Sequence, residues 1–198
     1  MKAVIFDLGN VLVHYDHASM LAAVGQLTDT PERPLTLPPD VIRQFVTGRM
    51  NGRSFHQFLR THTGVLVDYD TFTAVFNATQ RRNNDAIAYA VELQQRSDIT
   101  VGIISNTNAV HAAWLHRHIP ELALFNPVVM SNEVGLLKPD AAIYHHALQQ
   151  MGIPAHQAGF IDDTAANITG AAQVGIYGIL HTSLPTTQTT LETWLSDS

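Results

Sequence analysis

Ala3-Val4-Ile5-Phe6-Asp7-Leu8-Gly9-Asn10-Val11-Leu12 is the stretch that decides the fold. A short unbroken apolar run closed by turn-forming residues reads as a strand buried on both faces. Asp7 follows that run directly, so its carboxylate stands at the mouth of a buried strand. Desolvating a carboxylate there is costly unless a cation or hydrogen bonds compensate. Taken alone, Asp7 is explained equally well as a turn aspartate.

Four more short apolar runs read as strands, at 100–104, 127–130, 159–161 and 177–180. From residue 84 they alternate with helical patterns at 85–96, 109–116, 140–151, 165–174 and around 190–195. This alternation predicts an α/β fold, a doubly wound parallel-sheet, Rossmann-like core with helices on both faces. Ligands of such sheets sit outside the carboxyl ends of the strands. The stretch 16–84 breaks the pattern, holding no convincing strand and placing its apolar residues at helical spacing, as in Phe55, Phe58, Leu59 and Phe72, Val75, Phe76. Within it, 28–39 carries Pro31, Pro34, Pro38 and Pro39 and reads as a loop. The expected organisation is therefore a core of 1–15 and 85–198 with a helical cap, 16–84, inserted after strand one and able to cover the crevice.

The strand tips carry the chemistry. Strand two ends in Ile104-Ser105-Asn106-Thr107-Asn108, small polar residues opening a helix. A hydroxyl and free backbone N–H groups there suit an anion, although Ser and Asn are also ordinary N-caps. In Leu137-Lys138-Pro139-Asp140, Pro139 suits the first helical position and holds Lys138 extended toward the crevice. Strand four ends in Phe160-Ile161-Asp162-Asp163-Thr164, two adjacent carboxylates that repel unless a divalent cation or a lysine lies nearby. Asn167, four residues past Asp163, is expected to share its helical face and orient it. Together the tips supply a carboxylate nucleophile, phosphate donors, a fixed cation and ligands for Mg²⁺. A lysine about 4 Å from a phosphate oxygen is worth roughly 4 kcal/mol at an effective dielectric of about 20.

Composition narrows the partners. The 198 residues hold 11 basic and 17 acidic side chains, a formal net charge of −6, and charged residues are only 14% of the chain. That balance argues against nucleic acid and anionic membranes, which need many cations on one face, but not against a small phosphorylated metabolite. With no cysteine, a disulfide scaffold, a thiolate zinc site and a cysteine nucleophile are all excluded. A reducing, cytoplasmic setting is expected, as is a monomer or homodimer. The 11 histidines form no metal-binding spacing: His145 and His146 are adjacent, and His111, His116 and His118 have no carboxylate near them until Glu121. No apolar run approaches the ~20 residues of a membrane span, and the N-terminus reaches charge too soon for a signal h-region.

With these residues in order, the sequence resembles the haloacid dehalogenase-like hydrolases over nearly its whole length. It is most similar to the bacterial glucose 1-phosphate phosphatase subgroup, which also reads D-L-G-N, S-N-T-N and D-D-x-x-x-N at these positions. The resemblance implies a Mg²⁺-dependent phosphatase in which Asp7 forms an aspartyl-phosphate and Asp7, the Gly9 carbonyl and Asp163 hold Mg²⁺. Leu8, Gly9, Asn10, Ser105, Asn106 and Lys138 would bind the phosphate of the substrate, with Asp162 pairing to Lys138 and Asn167 behind it. Sugar phosphates such as glucose 1-phosphate are the favoured substrates.

One position departs from most phosphatases of the family. They carry a second aspartate two residues after the nucleophile, as general acid and base, where this chain has Gly9. Such a group contributes about 10²–10⁴-fold. Three resolutions stay open: an acidic leaving group such as an anomeric oxygen, a substitute such as His14, Asp16 or a cap residue, or slow turnover. The last would leave a phosphate-binding regulatory protein; a phosphotransferase is a further alternative. Gly9 also fits true 2-haloacid dehalogenases, but the doubly acidic Asp162-Asp163 argues against halide chemistry. Substrate choice is expected in the cap, with Arg49 and Arg53 of the turn 47–53 as candidates to face the crevice.

Overall fold

The computed structural model describes residues 1–197. Chain order is β1 (Lys2–Phe6), β2 (Val13–His14), α1 (His17–Gly25), α2 (Pro39–Val46), α3 (Gly52–Thr63), α4 (Tyr69–Phe76), β3 (Arg81–Arg82) and α5 (Asn84–Gln94). It continues with β4 (Ile99–Ser105), α6 (Ala109–His118), β5 (Val128–Met130), α7 (Ser131–Val134), α8 (Ala141–Met151), β6 (Ala158–Asp162), α9 (Ala165–Gln173), β7 (Tyr177–Leu180) and α10 (Leu184–Ser196).

Five strands form one parallel sheet in the order β5-β4-β1-β6-β7. The chain winds from β1 through β4 to β5 on one side, then returns to β6 and β7 on the other. The order therefore reverses between β1 and β6, and a ligand crevice opens at their carboxyl ends. Alternate residues serve the two faces, as the two-residue period of a strand requires. Val4, Phe6, Val101, Ile103 and Ile161 pack with α5, α6 and α10. Ala3, Ile5, Ile104 and Phe160 pack with α8 and α9 on the opposite face.

Helices α1–α4 bury their apolar stripes in a separate cluster that includes Met20, Phe45, Phe55, Leu59, Phe72 and Phe76. The Phe45 and Phe55 rings stack at 4.0 Å. Val110 of α6 closes this cluster from the core side. Helix starts follow the local chemistry: the side chains of Asp16, Asn51 and Asp68 accept the third N–H beyond them, capping α1, α3 and α4.

Four expectations change. The stretch 16–84 does hold a strand: β3 pairs antiparallel with β2, His14 against Arg81 and Val13 against Arg82, so the chain enters and leaves the insertion side by side. Two cationic residues show no hydrophobic alternation, which hid the strand. The last helix runs from Leu184, six residues before the expected start, opened by the Ser183 cap. Its threonines return their hydroxyls to backbone carbonyls four residues back, as Thr189 does to Pro185 and Thr190 to Thr186. Pro139 is not the first residue of a helix; it follows a cis peptide in the turn before α8, whose N-cap is Asp140. The residues after Ser105 do not open a helix at once, since α6 begins at Ala109.

Candidate active site

The crevice between β1 and β6 gathers the charged residues of the strand tips around one lysine. Lys138 Nζ lies 2.8 Å from Asp7 Oδ1 and 2.7 Å from Asp162 Oδ2, and donates to the Ile104 carbonyl at 3.0 Å. All three ammonium hydrogens therefore have partners, and the lysine, only 4% exposed, sits between two carboxylates. Asn106 holds the lysine backbone in place, donating to the Lys138 carbonyl and accepting its N–H, both at 2.9 Å.

Asp7 ends β1. Its Oδ1 accepts the Leu8 N–H at 2.7 Å as well as the lysine, so the carboxylate plane is set while Oδ2 takes no hydrogen bond. Burial pushes the Asp7 carboxyl up from its ordinary range, opposed by Lys138 and reinforced by the negative Asp162. Asp162 is fully buried and saturated: besides Lys138 it accepts the Thr164 N–H at 2.8 Å, and Asn167 Nδ2 reaches both of its oxygens at 3.0 Å. Asn167 thus orients Asp162, not Asp163. Tyr144 fixes this corner by donating its hydroxyl to the Asn167 carbonyl at 2.7 Å. Asp163, partly exposed, instead meets Asn10 Nδ2 at 3.1 Å and the Thr164 hydroxyl at 3.2 Å. Asn10 takes a positive φ of 55°, and its Oδ1 accepts the Tyr15 N–H.

Among the described residues, one group of carboxylates could hold a metal: Asp7, Asp162 and Asp163, with oxygens within 4.8 Å of one another. Asp162 is already occupied by nitrogen donors, which leaves Asp7 and Asp163. The loop after β1 adds a hard oxygen donor, because the Leu8 carbonyl takes the N–H groups of Val11, Leu12 and Val13 while the Gly9 carbonyl takes none. Two carboxylates and a carbonyl suit a divalent cation such as Mg²⁺.

Ser105 ends β4, is 3% exposed and makes no side-chain hydrogen bond. Its neighbours Leu8, Gly9, Tyr15, Asn106, Thr107 and His111 share with it a cavity of about 60 Å³. The α6 N-terminus does not serve this site, for Asn108 Oδ1 accepts the Val110 and His111 N–H groups. Arg49 and Arg53 do not line the crevice; both are exposed, and the Arg53 guanidinium sits 4.5 Å from the Tyr69 ring centroid. Asp16 is no replacement acid, being engaged as an N-cap by Ser19, which holds its carboxyl below the usual range. His14 is exposed on β2, outside the cavity beside Ser105.

Ser131 is a residue the strand tips did not announce. Fully buried, its hydroxyl oxygen lies 2.7 Å from the Val46 carbonyl, 3.0 Å from the Thr107 carbonyl, and accepts the Thr107 N–H at 2.9 Å. It ties the end of α2 to the loop behind Ser105. Beside it, Gly48 with φ of +71° lies so close to the Asn132 carbonyl that a Cβ would fall 1.9 Å from the oxygen.

A family profile described as haloacid dehalogenase-like hydrolase matches residues 1–175. The chain belongs to the haloacid dehalogenase-like hydrolases. Sesquiterpene phosphatase astK of Aspergillus oryzae is similar to it, 25% identical over 180 residues that cover 90% of this chain and 88% of the relative. Drimenol cyclase drtB of Aspergillus calidoustus is 20% identical over 187 residues, and the chain spans about a third of that relative, 34% of its length. In three dimensions, a HAD family enzyme from Bacteroides thetaiotaomicron, solved in complex with magnesium and inorganic phosphate, superposes with a TM-score of 0.80. That pair is 22% identical and covers 91% of this chain and 93% of the other. As a haloacid dehalogenase-like hydrolase, the chain has the parallel Rossmann-like core expected of it, and no helix of the described residues is long and apolar enough to cross a membrane.

Proposed function

We propose that this hydrolase is a Mg²⁺-dependent phosphatase of small phosphorylated metabolites, with Asp7 as nucleophile. The observation that carries the reading is the buried triangle in which Lys138 joins Asp7 to Asp162 at the switch point of the sheet. Asp7, Asp163 and the Gly9 carbonyl would hold Mg²⁺, which when bound places positive charge against the phosphate oxygens. The substrate phosphate is received by the Ser105 hydroxyl and the backbone N–H groups of Gly9 and Asn106, with the Lys138 ammonium beside it. An Asp7 oxygen attacks phosphorus, the bond from phosphorus to the ester oxygen breaks, and the departing alkoxide takes a proton from water. Water then attacks the aspartyl-phosphate, releasing phosphate and restoring the carboxylate. The similarity to the sesquiterpene phosphatase of Aspergillus oryzae and the phosphate in the Bacteroides structure support this reaction class.

The 16–84 insertion acts in this reading as the cap, and the cysteine-free chain works in the cytoplasm as a monomer or homodimer. Glucose 1-phosphate, suggested by the resemblance to its phosphatases, is the reference sugar ester. The test is phosphate release from a panel of monoesters with Mg²⁺ and with EDTA. Release is expected only with Mg²⁺, and Asp7→Asn should abolish it. A panel with no hydrolysis, or an Asp7→Asn variant at wild-type rate, would end the proposal.

A further inference from the structure

A second cavity, about 240 Å³, lies between the helical insertion and the loop after Ser105. It abuts the smaller cavity beside Ser105, because Tyr15, Asn106, Thr107 and His111 line both. The cavity beside Ser105, part of the proposed phosphate site, therefore borders it. Its wall is mostly hydrocarbon, built from Leu21, Leu35, Leu37, Ile42, Phe45 and Phe55 among others, and no Asp, Glu, Lys or Arg lines it.

Most of the polar side chains that reach this cavity are engaged elsewhere; among the described residues the Thr107 hydroxyl and His111 Nε2 are the exceptions. Both ends of the Asn106 amide are taken by the Lys138 backbone. Asn108 caps α6 with its oxygen, and its Nδ2 faces His111 Nδ1 at 3.1 Å. The Tyr15 hydroxyl meets His17 Nδ1 at 3.1 Å, and Ser131 Oγ accepts the Thr107 N–H at 2.9 Å. His111 Nε2 is buried with no partner. Burial lowers this imidazole to about 4, so it adds no charge near neutrality. A hexose placed here would strand several hydroxyls, each costing about tenfold or more in binding. A hydrocarbon chain would strand none.

We infer that this cavity receives the alcohol half of the substrate, and that the alcohol is aliphatic: the preferred ester is an alkyl-type phosphate monoester, not a sugar phosphate. The inference rests on the phosphatase reading for its reaction and on the cavity alone for its specificity.

The experiment compares methyl, butyl, hexyl and decyl phosphate with glucose 1-phosphate, using the full chain and Mg²⁺. The expected result is a rise in kcat/KM of about threefold to fourfold per methylene until the cavity is filled, with glucose 1-phosphate no better than methyl phosphate. A flat series, or glucose 1-phosphate above the alkyl esters, would overturn the inference. Calorimetric titration with butyl- and decylphosphonate, which cannot be hydrolysed, reads the same gradient in Kd without turnover. If the phosphonates show the gradient while no ester is cleaved, the phosphatase reading falls and the cavity assignment stands. Equal affinity for the two phosphonates sinks the assignment. At the rim, where Ile42 is 43% exposed, Ile42→Gln should lower the decyl-to-methyl preference about tenfold. An unchanged ratio in this folded variant counts against the inference.

Discussion

Asn106 and Lys138 clasp each other through two hydrogen bonds, side-chain amide to peptide group, each 2.9 Å long. The clasp is what places a buried ammonium between two buried carboxylates, since the lysine sits on a connecting segment with no strand or helix of its own. Asn106→Ala removes both bonds and leaves the Lys138 N–H and carbonyl without these partners. Phosphate release should fall about 10- to 100-fold in kcat, with stability lower by about 1–3 kcal/mol. Steady-state kinetics alongside urea melts check this, and Asn106→Asp, which keeps the acceptor but loses the donor, should fall in between.

Gly9 stands where most family phosphatases place their second aspartate, and a Cβ built there meets nothing within 4 Å. Its φ is not in the left-handed region, so a side chain is accommodated without strain. Gly9→Asp should therefore fold normally and speed hydrolysis of alkyl esters, whose leaving groups need a proton, by about 10- to 100-fold. p-Nitrophenyl phosphate, with its acidic leaving group, should gain little. Equal effects on both ester types would remove general-acid catalysis as the explanation.

Gly170 on α9 faces the loop that carries Lys138. A Cβ there would lie 2.4 Å from the Pro139 carbonyl oxygen, so Gly170→Ala has to push the backbone away. We expect a loss of about 1–3 kcal/mol in stability and a fall in kcat larger than the change in KM. Thermal melts and kinetics on one preparation decide it.

Buried His111 should imprint the stability of the chain with pH. Its pKa is lowered from 6.5 to about 4, mainly by desolvation, so between those values the unfolded chain binds the extra proton. The contribution is complete above about 6.5 and is lost as pH falls toward 4, in total about 3 kcal/mol. Urea titrations from pH 4 to 7 should show this slope in wild type and lack it in His111→Gln.

Much of this arrangement is written locally. Phe6-Asp7 and Ile161-Asp162 each end an apolar run on a carboxylate, so the tips and the winding of the sheet follow from strand patterning alone. The partnership of Asn167 is not legible from spacing because Asp163 and Thr164 precede α9, which begins at Ala165. The four-residue spacing of helical neighbours does not extend there, and Asp162 is the residue turned inward. Ser131 was invisible for another reason: a serine at a strand end looks alike whether it faces water or joins two elements. The apolar cavity is likewise assembled from residues far apart, Leu21, Phe45 and His111 among them, with no motif to mark it.

The two-residue pairing of β2 with β3 has a consequence for engineering. Because His14 and Arg81 are partners, the chain departs and returns at neighbouring points, and everything between is a cassette whose length the sheet does not feel. Arg82 anchors the return through its ion pair with Glu121 at 2.7 Å. A foreign helical segment spliced at 14 and 81 inherits the catalytic floor unchanged, provided it restores a backbone flush against Asn132, as Gly48 does, and an acceptor for Ser131. On the proposed reading, in which this segment caps the crevice, specificity is a replaceable part.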